Sequence, residues 1–576
     1  MIHLFFIFAL LLCFLPLLPG MVGLLLPSLS WIPTLGFDSV SISAFYDVAT
    51  WPNLSASIAL SLSTGLGSTV LALFFTYTIL KRYWGTSRWP KLERTLSPML
   101  AMPHVAFAIG FSLLFSPTGW VFRLIGALGI SDVAGIDLIQ NNLIQDNYGI
   151  GLMLALAIKE TPFLIIMSIP VLKQLNVEQL SKVSASLGYS HLETWRKVIM
   201  PQWLPKLRLP LFAVAAYGLS VVDIALILGP TRPATLSVLV WQWFNDPDLQ
   251  QLPRAAAGAC LLLFITAASL GSIRLVEWFC FNHQRGWITN GAKVVKHAKR
   301  KPMRHLALYS PFIAIPVLIV PLLFVWSFAH RWRFPDLLPS RYSERFWLQE
   351  LPTLTNLIGT SLLLAFVSSA LALILVIACL EYRQKFQRAL PAWLIAIPLV
   401  TPQLSLLFGI QIVTYLIPGQ HYWLWVSWSH LIFVFPYMYL ALDGAWRSYD
   451  VRLDQCSRSL GLTAWQTWWR VKRTQVQPAI IFGLAIGISV SLAQYLPTQM
   501  LGAGRISTLT TEAVALASGQ DRRVMAIYGL LQGILPFIFF TLAIVANRLS
   551  YRWRHYRQYS LQNTHISNKS KEYTHG

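Results

Sequence analysis

Ser186-Leu187-Gly188, followed by Thr194-Trp195, Val198 and Pro205, is written a second time 273 residues later as Ser459-Leu460-Gly461, Thr467-Trp468, Val471 and Pro478. The register survives the apolar segment that follows, where Leu228-Gly229 returns as Leu501-Gly502, Arg232 as Arg505 and Thr235-Leu236 as Thr508-Leu509. An ungapped match of that length, with its glycines and a tryptophan in step, is the signature of a duplicated module. Upstream the offset is larger. Ser61-Leu62, Ser68 and Leu71-Ala72-Leu73 recur 300 residues on, and Pro103 and Gly110 recur as Pro402 and Gly409 at 299. The first copy therefore carries about 26 additional residues between its third and fourth apolar segments, in the loop 118–148, whose counterpart 418–423 is short.

With 55% hydrophobic and only 12% charged residues, and a mean hydropathy of +0.55, the 576-residue chain is not a soluble one. Crossing a hydrocarbon core of about 30 Å takes about 20 apolar residues. Stretches of that kind fall near 4–26, 54–80, 96–117, 149–172, 208–230 and 255–279, then near 306–329, 355–380, 392–417, 424–444, 479–498 and 525–547. The expected fold is an all-α polytopic membrane protein of about twelve spans, arranged as two six-helix repeats. An even number of spans separates the copies, so the repeats are parallel. The expected organisation is a first half at 1–280, a basic linker at 281–305, a second half at 306–547, and a polar, unstructured tail at 548–576.

The net charge of +22 invites a nucleic-acid reading, which the placement of the cations removes. Of the 45 Lys and Arg, 33 lie in one set of alternate loops and 10 in the other, with Lys159 and Arg274 in or beside spans. That asymmetry is the positive-inside pattern and predicts two cytoplasmic termini. The N-terminal run is expected to be retained as a span, since its removal would break the six-plus-six match. The five cysteines lie in spans or on the inner side and suggest no disulfide. In the linker, His283, His297 and His305 lack metal-ligand spacing, and the basic residues there suit contact with anionic lipid head groups.

In each half the duplicated motif occupies a cytoplasmic loop between the fourth and fifth spans, 173–207 and 445–478. The first copy, Leu180-Ser181-Lys182-Val183-Ser184-Ala185-Ser186-Leu187-Gly188 and, nine residues on, Val198-Ile199-Met200-Pro201, resembles the EAA loop of permease subunits in binding-protein-dependent ABC importers. Two short helices about a glycine turn form a compact knob of the kind that docks in a partner's groove. The stretches Lys159-Glu160-Thr161-Pro162-Phe163 and Phe435-Pro436-Tyr437 resemble fourth-span signatures of the fused iron(III)/thiamine-type permeases. The run from Val221 to Pro230, Trp241 to Asp248, and Thr510 to Gly519 are similar to the YnjC-type permeases, a similarity that covers nearly the whole chain. The resemblance implies the type I ABC importer transmembrane fold. It assigns Ser186, Leu187, Gly188, Pro201, Ser459, Leu460 and Gly461 to coupling with an ATPase. Lys182 and Gln455 stand where the motif has its acidic residue, with Glu178 and Asp454 nearby, and Val471-Lys472-Arg473-Thr474 replaces Ile-x-Leu-Pro in the second copy.

Ionisable groups cost a few kcal/mol at the bilayer centre and are functional candidates there. Adjacent helical residues point about 100° apart, so Lys159 and Glu160 are expected to meet different neighbours. Asp223 lies in the fifth span, and its counterpart is Leu496, next to Gln494 and Tyr495. These five residues are the candidates for a translocation pathway at the repeat interface; inter-helix hydrogen bonding, or a salt bridge between Asp223 and Lys159, is the equally simple structural alternative. No GxxxxGK[ST], HExxH or GxSxG occurs, so no nucleotide site, cofactor or enzyme is expected. The resemblance then implies two copies of a separate ATP-binding subunit, a periplasmic substrate-binding protein and a small solute, in a cell inner membrane. An ion-gradient-driven transporter with 6+6 parallel repeats is the rival. It would place ionisable pairs in both halves and have no paired glycine-turn loops.

Overall fold

The computed structural model describes residues 2–128, 143–289, 306–417, 419–519 and 521–572. Most of the linker 281–305 and part of the loop 118–148 lie outside them. The chain opens with α1 (Ile2–Cys13) and α2 (Leu17–Ser28), one apolar span divided near Pro16. Next come α3 (Leu54–Tyr83), α4 (Trp89–Ala101), α5 (His104–Phe115), α6 (Ile150–Gln174), α7 (Val177–Ser186), α8 (Arg208–Ser220), α9 (Asp223–Leu228), α10 (Leu236–Phe244) and α11 (Gln251–Thr289). The second half runs α12 (Leu306–Phe328), α13 (Arg345–Phe386), α14 (Ala392–Val400), α15 (Gln403–Thr414), α16 (Tyr422–Ser448) and α17 (Arg452–Ser459). It ends with α18 (Arg473–Leu492), α19 (Leu496–Gly502), α20 (Leu509–Ala517) and α21 (Arg522–Glu572). A two-stranded hairpin, β1 (Ala329–Arg331) with β2 (Arg341–Tyr342), links α12 to α13.

Among the described residues nine helices are long and apolar enough to cross a membrane, or ten when the bent pair α14–α15 counts as one span. The protein is thus an all-α polytopic membrane protein. Four expected segments differ from continuous helices. At 96–117 and 392–417 the chain breaks at Pro103 and Pro402, and α14 and α15 meet at 92°. Proline disfavours the α conformation in the residue before it, and both Met102 (ψ 124°) and Thr401 (ψ 134°) are extended. The segment 208–230 is α8 and α9, parted at Val221 (ψ 133°). Its counterpart is parted at Ala493–Tyr495, between α18 and α19. The tail is also different, because α21 continues to Glu572. A helix already nucleated in the membrane adds residues at little cost until something interrupts it, and no Pro or Gly occurs between 537 and 575.

Broken helices free backbone groups that hydrocarbon cannot solvate. Here side-chain hydroxyls take them up at matching places. Ser237 Oγ donates to the Val221 carbonyl (2.7 Å), and Thr510 Oγ1 donates to the Leu492 carbonyl. The first free N–H of α10, on Leu236, donates to Ser61 Oγ (2.7 Å), and that of α20, on Leu509, donates to Ser361 Oγ (2.9 Å). These are the serines and leucines that recur in the sequence.

The first span of each half packs on the other half. α2 lies along α15, and α12 lies along α5. The α2–α15 approach is backbone to backbone: a Cβ on Gly23 would stand 2.1 Å from the Gly409 carbonyl oxygen, and one on Gly409 would stand 1.7 Å from that of Gly20. Close approach through small residues is how helices associate in lipid, where no hydrophobic force separates protein from solvent. The largest apolar cluster joins both halves, with Phe107, Leu152 and Trp241 packed together with Phe408, Tyr495 and Met500. Gly409→Leu should therefore lower the yield of monodisperse protein and its melting temperature, with an overpacking cost of about 3 kcal/mol or more. Gly271→Leu, at an exposed site with nothing within 4 Å, should leave both unchanged in the same thermal-shift and size-exclusion assays.

Candidate functional site

The two glycine-turn loops are built alike. Residue Gly188 has φ +82° and Gly461 has φ +86°, the left-handed conformation in which L side chains are strained. Nothing lies within 4 Å of a Cβ built on Gly461, so conformation and not space demands glycine there. Each ends its helix in a Schellman motif. Tyr189 N–H donates to Ser184 O (3.0 Å) and Gly188 N–H to Ala185 O (2.9 Å); Leu462 N–H donates to Ser457 O (3.1 Å) and Gly461 N–H to Arg458 O (3.0 Å). A reciprocal capping box then starts the next helix, Ser190 with Glu193 and Thr463 with Gln466, again 273 apart. Ser186 and Ser459 each return their hydroxyl to the carbonyl three residues back (2.8 Å), on Val183 and Cys456.

The turns present apolar side chains to solvent, where burial against a partner would be favourable. Leu187 is 59% exposed and Leu460 83%, with Val183 and Leu192 beside the first and Trp465 beside the second also exposed. Pro201 sits in the short helix Met200–Trp203, which follows directly on a π-helical turn, Thr194–Ile199, and lines a cleft of about 310 Å³ with Tyr189, Lys197, Val198 and Gln202. The second copy has no proline at that place, and its chain passes straight from a π-helical turn, Trp468–Lys472, into α18. Of the nearby carboxylates, Asp454 accepts from the Tyr449 hydroxyl (2.5 Å). Burial first, and that hydrogen bond second, push the Tyr449 hydroxyl above its ordinary value, so it remains a donor.

The loops are anchored by different chemistry. In the second, Glu381 Oε1 at the end of α13 accepts from Trp446 Nε1 (2.9 Å) and Trp468 Nε1 (3.1 Å) and pairs with Lys472 Nζ (2.6 Å), which is buried. In the first, Lys81 stands at the place of Glu381 and Ile199 at that of Lys472. There Trp195 packs against Tyr77 (ring centroids 6.1 Å apart), and Tyr77 against Trp203 (6.2 Å).

Within the spans the structure assembles a polar cluster around two of the expected carboxylates. Glu160 Oε1 meets His104 Nε2 (2.9 Å), and the His104 ring lies 4.8 Å from that of Tyr217. The Tyr217 hydroxyl lies close to the Asp223 carboxylate. From the second half, Tyr495 lies within electrostatic reach of Asp223, and Tyr437 within that of Glu160. Lys159 turns away and donates to the Met99 carbonyl (3.2 Å); no ion pair joins it to Asp223. Gln494 is buried at the break before α19. A second network was not foreseen. His430 bridges Ser491 Oγ (2.7 Å) and Thr498 Oγ1 (2.9 Å), and Ser491 reaches Ser368 (3.1 Å). His104 and His430 were visible as ionisable groups inside apolar segments; Tyr217 and Tyr437 carried no such mark.

A polytopic helical bundle with two matched surface knobs and polar clusters among its spans is a membrane transport component. Over 539 residues, 93% of this chain and 94% of the relative, it is 31% identical to the inner membrane ABC transporter permease protein YnjC of Escherichia coli (strain K12). The chain belongs to the ABC transporter permease family, and it is the inner-membrane permease subunit of an ABC importer, not an enzyme. It also matches the probable sulfate transport system permease protein cysT of Chlorella vulgaris, at 25% identity over 39% of this chain and 76% of that one. A shorter match, 35% over 66 residues, is to the protein of the same description in Chlorokybus atmophyticus, covering 11% of this chain and 23% of that one. No family model matches the chain.

The Glu381–Lys472 clamp is open to a double-mutant cycle. Glu381→Gln and Lys472→Met should each destabilise the protein by about 3 kcal/mol, the cost of stranding one member of a largely buried pair. The double variant should be more stable than the sum of the two losses. Simple additivity in thermal melts would show that the ion pair does not hold the loop.

Proposed function

We propose that this chain is two half-permeases fused into one, so that a single copy forms the translocation pathway of the importer. Two copies of a separate ATP-binding subunit would engage it, one at each of the loops 173–207 and 445–478. A periplasmic binding protein would deliver a small solute to the opposite face, and both termini would be cytoplasmic. The observation that carries this reading is the pair of knobs, whose Schellman turns, capping boxes and exposed leucines recur 273 residues apart. The ion-gradient alternative would have no use for them. Closure of the ATPase dimer on binding ATP would draw the knobs together and rock the halves outward-open, and hydrolysis would reset them. Asp223, Glu160, Gln494 and Tyr495 would line the pathway, joined by His104, Tyr217 and Tyr437; Lys159, held at the Met99 carbonyl, would support α6 against α4.

Tagged protein purified in detergent should co-purify an ABC ATPase, identified by mass spectrometry, and Gly188→Arg or Gly461→Arg should lose it while remaining monodisperse. A stable preparation without any ATPase would overturn the reading. For the pathway, Asp223→Asn should reduce solute uptake in cells about tenfold or more at unchanged membrane abundance, as expected when a charged hydrogen-bonding group facing the solute is lost. Unchanged uptake would remove Asp223 from it.

A further inference from the structure

The far end of the molecule holds a cavity that neither the knobs nor the intramembrane cluster uses. Its position follows from α21. Ser550 on that helix hydrogen-bonds Gln477 beside the second knob (3.2 Å), and Arg522 begins the same helix 28 residues earlier, about 42 Å away at 1.5 Å per residue. Arg522 lines a cavity of about 470 Å³ with Arg123, Arg523, Asp521 and Thr118, walled by Trp326, Trp332 and Phe334.

Three guanidinium groups share this space. Arg123 is 2% exposed and lies over the Trp332 ring (4.8 Å to the centroid), while Arg522 lies over Trp326 (5.7 Å). Among the described residues their hydrogen bonds go to neutral oxygens. Arg123 Nε donates to the Thr118 carbonyl (2.9 Å) and its Nη1 to those of Arg333 (2.6 Å) and Asp336 (2.8 Å), and Arg522 Nη1 donates to Thr118 Oγ1 (2.5 Å). Among the described residues neither has a carboxylate within ion-pair distance. Asp521 reaches only Arg523, at 3.9 Å, and the Asp336 carboxylate acts on Arg123 from outside the lining.

Like charges gathered against aromatic walls, with more cations than carboxylates, have unfavourable self-energy that an anion relieves. The planar donors of arginine suit an oxyanion or a carboxylate, which accepts two parallel N–H groups. The cavity is larger than one tetrahedral oxyanion needs and leaves room for water or for a small organic body against the indoles. We propose that this cavity is a binding site for a small oxyanion, inorganic or carboxylate, held between the start of α21 and the hairpin that follows α12. Arg522 and Arg523 are its ligands. Arg123, fixed by three carbonyls, shapes the site by pinning residues 333–336.

The proposal stands apart from the ATPase reading, since it concerns the isolated full-length chain. The test is a thermal-shift titration of detergent-purified protein with sulfate, phosphate and succinate against chloride at matched ionic strength, followed in parallel by tryptophan fluorescence. At least one oxyanion should stabilise the protein saturably and perturb the fluorescence. Arg522→Gln should weaken that response about tenfold. Arg523→Gln serves as the second variant in case Arg522→Gln fails to fold, and Arg254→Gln, which lies outside the cavity, should respond as wild type. No saturable response to any of the three anions, or equal responses in wild type and in the folded variant, would overturn the proposal.

Discussion

Every buried backbone group in this molecule must find its partner inside the protein, because hydrocarbon offers none. The chain meets that demand while interrupting its helices at Pro103, Pro402, Val221–Val222 and Ala493–Tyr495. Ser237 and Thr510 cap the carbonyls left by the last two breaks, and Ser61 and Ser361 receive the first N–H of α10 and α20. Those hydroxyls let a short helix fold back against a long one within the bundle. Asp223 and Tyr495 both stand at the resulting breaks, so the placement of the polar cluster follows from the way the backbone is satisfied.

The backbone recurs where the side chains do not. The first half sets Glu160, His104, Tyr217 and Asp223 together, and the matching positions of the second hold Phe433, Gln403, Val490 and Leu496. The second half sets His430, Ser491 and Thr498 together, against Ala157, Gly218 and Ala225 in the first. Apart from Gln403 opposite His104, each half is polar where the other is apolar. A shared scaffold thus carries a different polar cluster in each half.

Much of this was legible in the sequence. Glycines 273 residues apart announced the turns, and the carboxylates at 160 and 223 announced themselves by their cost in a membrane. The breaks at Pro103 and Pro402 were not legible, because hydropathy runs the spans together across them and proline only disfavours helix in the preceding residue: Pro162 and Pro436 sit inside unbroken helices. Nor was the break at Val221–Val222, since two valines in an apolar run carry no stop signal and the hydroxyl that satisfies the break is sixteen residues away. The partners of Glu160 escaped for a related reason. His104 is 56 residues distant and Tyr437 lies in the other half, and only tertiary packing brings them near.

The attachments of the two knobs give the last step. The second knob is tied through Glu381 to α13 and through Trp446 to α16, the helix that carries His430 in the polar network. The first rests through Trp195 and Tyr77 on α3, which makes the most extensive contact of any helix with α6, the helix of Glu160. Packed helices move as rigid bodies between discrete arrangements. A displacement of Leu460 would therefore be carried to the His430 network and one of Leu187 to the Glu160–His104 pair, each knob addressing the polar cluster of its own half.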